Sequence, residues 1–162
     1  MKYFRWIDDD INVGRITYNE FDEEYYCLRA IFEENDKLFT TNFVTNEYRL
    51  PGGSYLDMLD NLGEEITENE FNNKWEIALK PFMKKWNETK HKNDIGDNIK
   101  VRICCIYPQG VIFRFDEIFH GIADYDECIS KYGWEKLYPN IELEIKIIGY
   151  DENNMWIKLK PN

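Results

Sequence analysis

Ile99-Lys100-Val101-Arg102-Ile103-Cys104-Cys105, followed after the turn Pro108-Gln109-Gly110 by Val111-Ile112-Phe113-Arg114-Phe115, decides the fold of the C-terminal half. Ile99, Val101, Ile103 and Cys105 alternate with Lys100, Arg102 and Cys104, and Val111, Phe113 and Phe115 alternate with Ile112 and Arg114. A period of two sends successive side chains to opposite faces of a strand, so each segment reads as a strand with one buried face. Leu143, Ile145 and Ile147 repeat the pattern against Glu144 and Lys146. Gly121 opens a shorter strand, and Asp151 to Asn154 turns a last hairpin into Met155 to Lys160. Residues 95–161 are therefore expected to form a five-stranded antiparallel barrel. Val101, Ile103, Val111, Phe113, Ile145, Ile147, Ile157 and Leu159 belong inside, and Ile112 and Arg114 outside. A slip of one residue would invert that assignment.

Upstream, Glu88 to Asp94 shows no apolar periodicity and reads as a linker, which sets a boundary between a domain over 1–88 and the barrel, with 89–94 between them. The first domain opens on four short segments, Lys2–Ile7, Gly14–Phe21, Tyr25–Phe32 and Leu38–Val44, separated by acidic turns, the signature of an antiparallel meander. Tyr26, Leu28, Ala30 and Phe32 form one alternating set that suits a sheet with one covered face. The cover is a helix over about 67–87: Thr67 and Glu70 form a capping box, and Phe71, Trp75, Ala78, Leu79, Phe82 and Trp86 recur along one stripe. Pro81 should loosen that helix, because it lacks a donor and crowds the preceding turn. Pro51-Gly52-Gly53 breaks the chain before it, and Ser54 to Leu62 reads as a shorter helix.

Hydrophobic residues make up 43% of the 162 residues, enough for packed cores and against a disordered chain. Lys and Arg total 20 against 31 Asp and Glu, a formal charge of -11. A uniformly acidic chain approaches phosphates at an electrostatic disadvantage, whereas a basic protein gains from it. The four cysteines, Cys27, Cys104, Cys105 and Cys128, lack paired zinc spacing, and Cys104 and Cys105 would point to opposite faces unless a bulge intervened. They read as structural thiols of a reducing cytoplasm, and the N-terminus carries no signal-peptide pattern. Asp8, Asp9 and Asp10 are consecutive and read as a solvated turn rather than a metal site. Pro51-Gly52-Gly53-Ser54 lacks the context of a phosphate loop, and His120 beside Gly121 reads as structural. With no nucleophile and base in a defined motif, no enzyme activity, cofactor or metal is expected.

Ile95-Gly96-Asp97-Asn98-Ile99, Gly110-Val111-Ile112-Phe113, Gly121-Ile122-Ala123, and Ile145 to Asp151 running into Ile157-Lys158-Leu159 together resemble the S1 RNA-binding domain family in order and spacing. The resemblance implies that the barrel, which follows the α+β N-terminal domain read from the meander and its covering helix, is an all-β five-stranded OB fold of S1 type. It also implies a binding face: the positions that usually carry stacking aromatics, a strand-three histidine or aromatic, and a last-strand basic residue are here Gln109, Ile112, Asp124 and Trp156, with Arg102, Arg114 and Lys158 projecting nearby. Only Trp156 keeps a stacking plane, and base stacking is worth roughly 1–3 kcal/mol per base.

The N-terminal segment is faintly similar, in short aromatic and acidic patterns, to small uncharacterised bacterial domains with immunity functions. The expectation is a non-enzymatic cytoplasmic binding protein that meets a basic protein through an acidic surface at Asp8, Asp9, Asp10, Asp22, Glu23 and Glu24, as an immunity or antitoxin-type neutraliser would. The alternatives are an RNA-binding S1-domain protein of translation or RNA metabolism, and a structural subunit of a larger assembly.

Overall fold

The structure, a computed structural model, describes residues 1–8, 14–43, 63–107 and 110–162. The expected helix at Ser54–Leu62 and the break at Pro51-Gly52-Gly53 lie outside the described residues, and the fourth strand, expected to reach Val44, ends at Thr40. The chain forms two compact units, Met1–Phe82 and Met83–Asn162.

The first unit is the expected meander of β1 (Lys2–Asp8), β2 (Arg15–Phe21), β3 (Cys27–Glu34) and β4 (Lys37–Thr40). A further strand, β5 (Glu64–Glu65), pairs with β1, giving the order β4-β3-β2-β1-β5. Asn35 and Asp36 join β3 to β4 at φ of 49° and 61°, the left-handed pair that a two-residue hairpin demands and that Asn and Asp tolerate best after Gly. Helix α1 (Glu68–Leu79) starts on the expected capping box: Thr67 Oγ1 accepts the Glu70 amide at 3.2 Å while the Glu70 carboxylate accepts the Thr67 amide at 2.9 Å. Phe71, Trp75, Ala78 and Leu79 are buried along one stripe. At Pro81 the helix gives way to a 3-10 turn over Lys80–Phe82, as expected where the chain lacks an amide donor.

The second unit begins with α2 (Met83–Lys92), so residues 88–92, which read as a linker, are helical. Trp86 and Thr89, three apart, are its only buried residues. The Trp86 ring packs 5.1 Å from Phe119 and meets Tyr150 edge-on at 6.0 Å, while its Nε1 donates to Glu152 at 2.8 Å. One large aromatic anchor therefore holds a helix whose second half is polar, which is why the periodicity carried the helix to 87 and not through 88–92.

A closed barrel follows: β6 (Asn98–Tyr107), β7 (Gly110–Arg114), β8 (His120–Ala123), β9 (Glu142–Asp151) and β10 (Trp156–Pro161), in the order β10-β8-β7-β6-β9. Four of its pairings are antiparallel, but β8 and β10 run parallel, which corrects the all-antiparallel expectation. Five strands in a ring cannot alternate direction all the way round, so one parallel pair is forced. Every residue assigned to the interior is buried. Gly121 sits where an added Cβ would lie 2.3 Å from Leu159 Cδ1, so a larger residue there would have to displace the buried Leu159 side chain.

Ile112 departs from the expectation. Alternation places it on the face opposite Val111 and Phe113, yet all three are fully buried, so β7 is covered on both faces rather than one. Between β8 and β9 lies a helix that strand periodicity did not reveal, α3 (Tyr125–Tyr132), with Asp124 as N-cap and Gly133, at φ 81°, as C-cap. It packs against β7 and β10 and buries Cys128.

Candidate binding surfaces

The barrel's outer face is organised by a β-bulge in β6. Ile103 pairs with Phe113 and Cys105 with the next residue back, Ile112, so Cys104 has no partner across the ladder. A bulge sets two residues against one and brings their side chains to the same side of the sheet. Cys104 and Cys105, both half-buried, therefore share the outer face, which an unbroken strand would forbid. Register then lines up Arg102, Arg114, His120 and Trp156 across β6, β7, β8 and β10. The row runs from exposed to buried: Arg102 and Arg114 reach solvent, whereas His120 and Trp156 are 3% and 5% exposed.

The residues assigned to a stacking face are not presented as one. Gln109 lies outside the described residues. Ile112 and Trp156 are buried, so neither offers a plane to a base. Asp124 leaves the barrel face to cap α3, its Oδ1 accepting the Glu127 amide at 2.8 Å. Arg102 and Arg114 do come together as cross-strand partners, with Glu142 Oε2 3.6 Å from Arg102 Nε. Lys158 is exposed on β10, opposite Ile122 of β8.

The acidic turns are also separated. Asp8 closes β1 opposite Arg15 at the start of β2, whereas Asp22, Glu23 and Glu24 follow the far end of β2. Seven residues of strand set these turns roughly 20 Å apart, so they are two features, not one patch. Asp9 and Asp10 lie outside the described residues. Asp22 spends one carboxylate oxygen on its own turn, accepting the Glu24 and Tyr26 amides at 2.9 Å each, which leaves Glu23 at the exposed tip.

Much of the remaining acidity in the first unit is matched internally. Glu20 accepts from Tyr3 Oη at 3.1 Å and forms an ion pair with Arg29, whose Nη2 also donates to Asn72 of α1 at 3.1 Å. The guanidinium stands 4.9 Å from the Phe71 ring centroid and 5.0 Å from that of Trp75. Beside it, Glu33 accepts from Tyr18 Oη at 2.8 Å and from Lys74 Nζ at 2.7 Å. Burial, with Glu20 alongside, pushes the Tyr3 hydroxyl up to about 12. This network fastens α1 to the sheet: each charge has a hydrogen-bonded partner, the condition under which buried charge is tolerated. Its members sit at alternate positions of β2 and β3, but apolar periodicity does not register them.

A surface that sequence reasoning passed over lies in the β8–β9 connection, where Tyr125, Trp134, Tyr138 and Ile141 are all exposed, Trp134 at 64%. Among them stand exposed Asp126, Glu127 and Glu135. The signal available in the sequence was the aromatic content of this connection, Tyr125, Tyr132, Trp134 and Tyr138, in no strand pattern.

Among the described residues no three His, Cys, Asp or Glu side chains are grouped to hold a metal ion, and no helix is long and apolar enough to cross a membrane. No family model and no curated protein sequence matches this chain.

Proposed function

We propose that this protein is a non-catalytic binding module that engages a basic protein, in the manner of an immunity or antitoxin-type neutraliser, with its OB-like barrel serving as scaffold. The observation that carries this reading is the burial of Ile112 and Trp156 together with the diversion of Asp124 into a helix cap. These remove the stacking planes from positions where an S1-type barrel would hold bases, and the net charge of -11 opposes phosphate. The exposed Trp134 and Tyr138, flanked by carboxylates, have the composition of a protein interface: aromatic anchors within a charged rim.

A second reading, RNA binding in translation or RNA metabolism, draws support from one feature, the adjacent exposed Arg102 and Arg114 on the barrel. Titration of labelled single-stranded RNA oligomers at ~150 mM salt, where charges beyond a Debye length are screened, separates the two. Weak binding that Arg114→Ala leaves unchanged is the expected result. Submicromolar binding lost in Arg114→Ala would replace the protein-binding reading with the RNA-binding one.

A further inference from the structure

The four cysteines stand in unlike surroundings. Cys27 and Cys128 are buried, and burial pushes their thiols up to about 12 and about 11. Cys104 and Cys105 are half-buried on the outer face of the barrel, side by side because of the bulge at Ile103/Cys105. Three strands bring polar groups to Cys104: the Cys105 thiol on β6, the His120 imidazole on β8 and the Arg114 guanidinium on β7, the last two being cross-strand partners. His120 is 3% exposed, and neither of its ring nitrogens completes a well-formed hydrogen bond among the described residues. A buried imidazole whose nitrogens find no partner is costly, and a redox or catalytic role is one of the reasons such a group is kept.

We propose that Cys104 is a site of thiol modification, a nucleophile held by the β6 bulge among Cys105, His120 and Arg114, whose substrate class is the hydroperoxides. The Cys104 thiolate, its proton already released to solvent, attacks the terminal oxygen of the peroxide. An S–O bond forms as the O–O bond breaks, and sulfur is oxidised by two electrons to the sulfenic acid. The leaving hydroxide or alkoxide takes a proton from solvent and departs as water or an alcohol. The neighbouring Cys105 thiol, then the His120 imidazole and the Arg114 guanidinium, hold the Cys104 thiol below its ordinary range, with burial opposing them. Low-pKa, partly exposed thiols in positively charged surroundings are the ones that oxidise. The Cys105 thiol moves upward, mainly through its hydrogen bond to Cys104, so it acts as a donor to its neighbour. Consecutive Cα atoms lie about 3.8 Å apart, short of the ordinary disulfide span, so Cys105 is not the resolving thiol.

The test uses the intact protein. Limiting iodoacetamide at about pH 6, where ordinary thiols are largely protonated, should alkylate Cys104 about tenfold faster than the other cysteines, with fragment ions separating Cys104 from Cys105. Hydrogen peroxide followed by a cyclic 1,3-dione should label Cys104, and Cys104→Ser should remove that label. Because His120 is buried and its replacement risks the fold, the exposed Arg114 is the residue to vary: Arg114→Gln should slow both reactions several-fold while thermal unfolding stays unchanged. Dione labelling absent from Cys104 in the folded protein, or alkylation of Cys104 no faster than of Cys105, would overturn the assignment.

Discussion

Arg29 on β3 stands opposite Glu20 on β2, and their side chains, 15% and 8% exposed, close an ion pair that also reaches Asn72 of α1. Removing one partner of a buried pair leaves the other charge without compensation, at a cost of about 3–5 kcal/mol. Glu20→Ala is therefore expected to destabilise the first unit by that order. Arg29→Met, which removes the cation but keeps apolar contact with Phe71 and Trp75, should cost less than Arg29→Ala. Urea unfolding followed by tryptophan fluorescence ranks the three; equal losses for Arg29→Met and Arg29→Ala would show that the ion pair alone matters.

Trp75 and Trp86 anchor their helices from complete or nearly complete burial, one in each unit. Truncating a buried tryptophan costs about 3–5 kcal/mol, so Trp75→Ala and Trp86→Ala should each lower stability by that amount. Loss of Trp86 also strips Glu152 of the Nε1 donor, leaving Lys90 to hold the carboxylate. An unchanged unfolding midpoint for either variant would contradict its burial.

The parts of this fold that could be read in advance are those a local pattern reports. The capping box at Thr67 and Glu70, the loosening at Pro81 and the barrel interior from Val101 to Leu159 each follow from spacing within a few residues. What stayed hidden depends on groups far apart in sequence. Alternation tells which face Ile112 takes, but not that the outer face would also be covered. The adjacency of Cys104 and Cys105 depends on hydrogen-bond register between β6 and β7, which their own residue types do not encode. Asp124 matched a family position on a strand, yet Asp is a strong N-cap, and the amide of Glu127 claimed it. The acidic turns looked like one surface because a linear sequence does not show that β2 separates them.

Acid should expose the Lys74–Glu33 contact. The hydrogen bond from Lys74 holds the Glu33 carboxyl below its ordinary range, with Tyr18 assisting and burial opposing. A carboxylate lowered by folding adds stability that is present above its unfolded value, about 4.3, and lost as pH falls through the folded value. Stability should thus decline as pH is lowered from about 5 toward 3, and Glu33→Gln should flatten that decline while lowering stability at neutral pH. Denaturant midpoints measured across this range decide it; parallel curves for the two proteins would remove Glu33 from the acid response.

Trp134 lets a contribution to the fold be told apart from a contribution to the proposed interface. At 64% exposure it contributes little to packing, and surface substitutions of this kind usually shift stability by no more than about 0.5 kcal/mol. Trp134→Ala should therefore unfold at the same midpoint as the parent, unlike Trp75→Ala. In an interface, however, exposed tryptophans surrounded by charge are the residues whose truncation costs about 2 kcal/mol or more of binding. Glu135→Lys, one residue away, should mainly slow association with a basic partner and weaken its salt dependence, because rim charge acts on encounter more than on the final complex. Surface plasmon resonance on the partner recovered by salt-graded affinity capture reads both effects, faster dissociation for Trp134→Ala and slower association for Glu135→Lys. Unchanged kinetics in both variants would move the interface away from the β8–β9 connection.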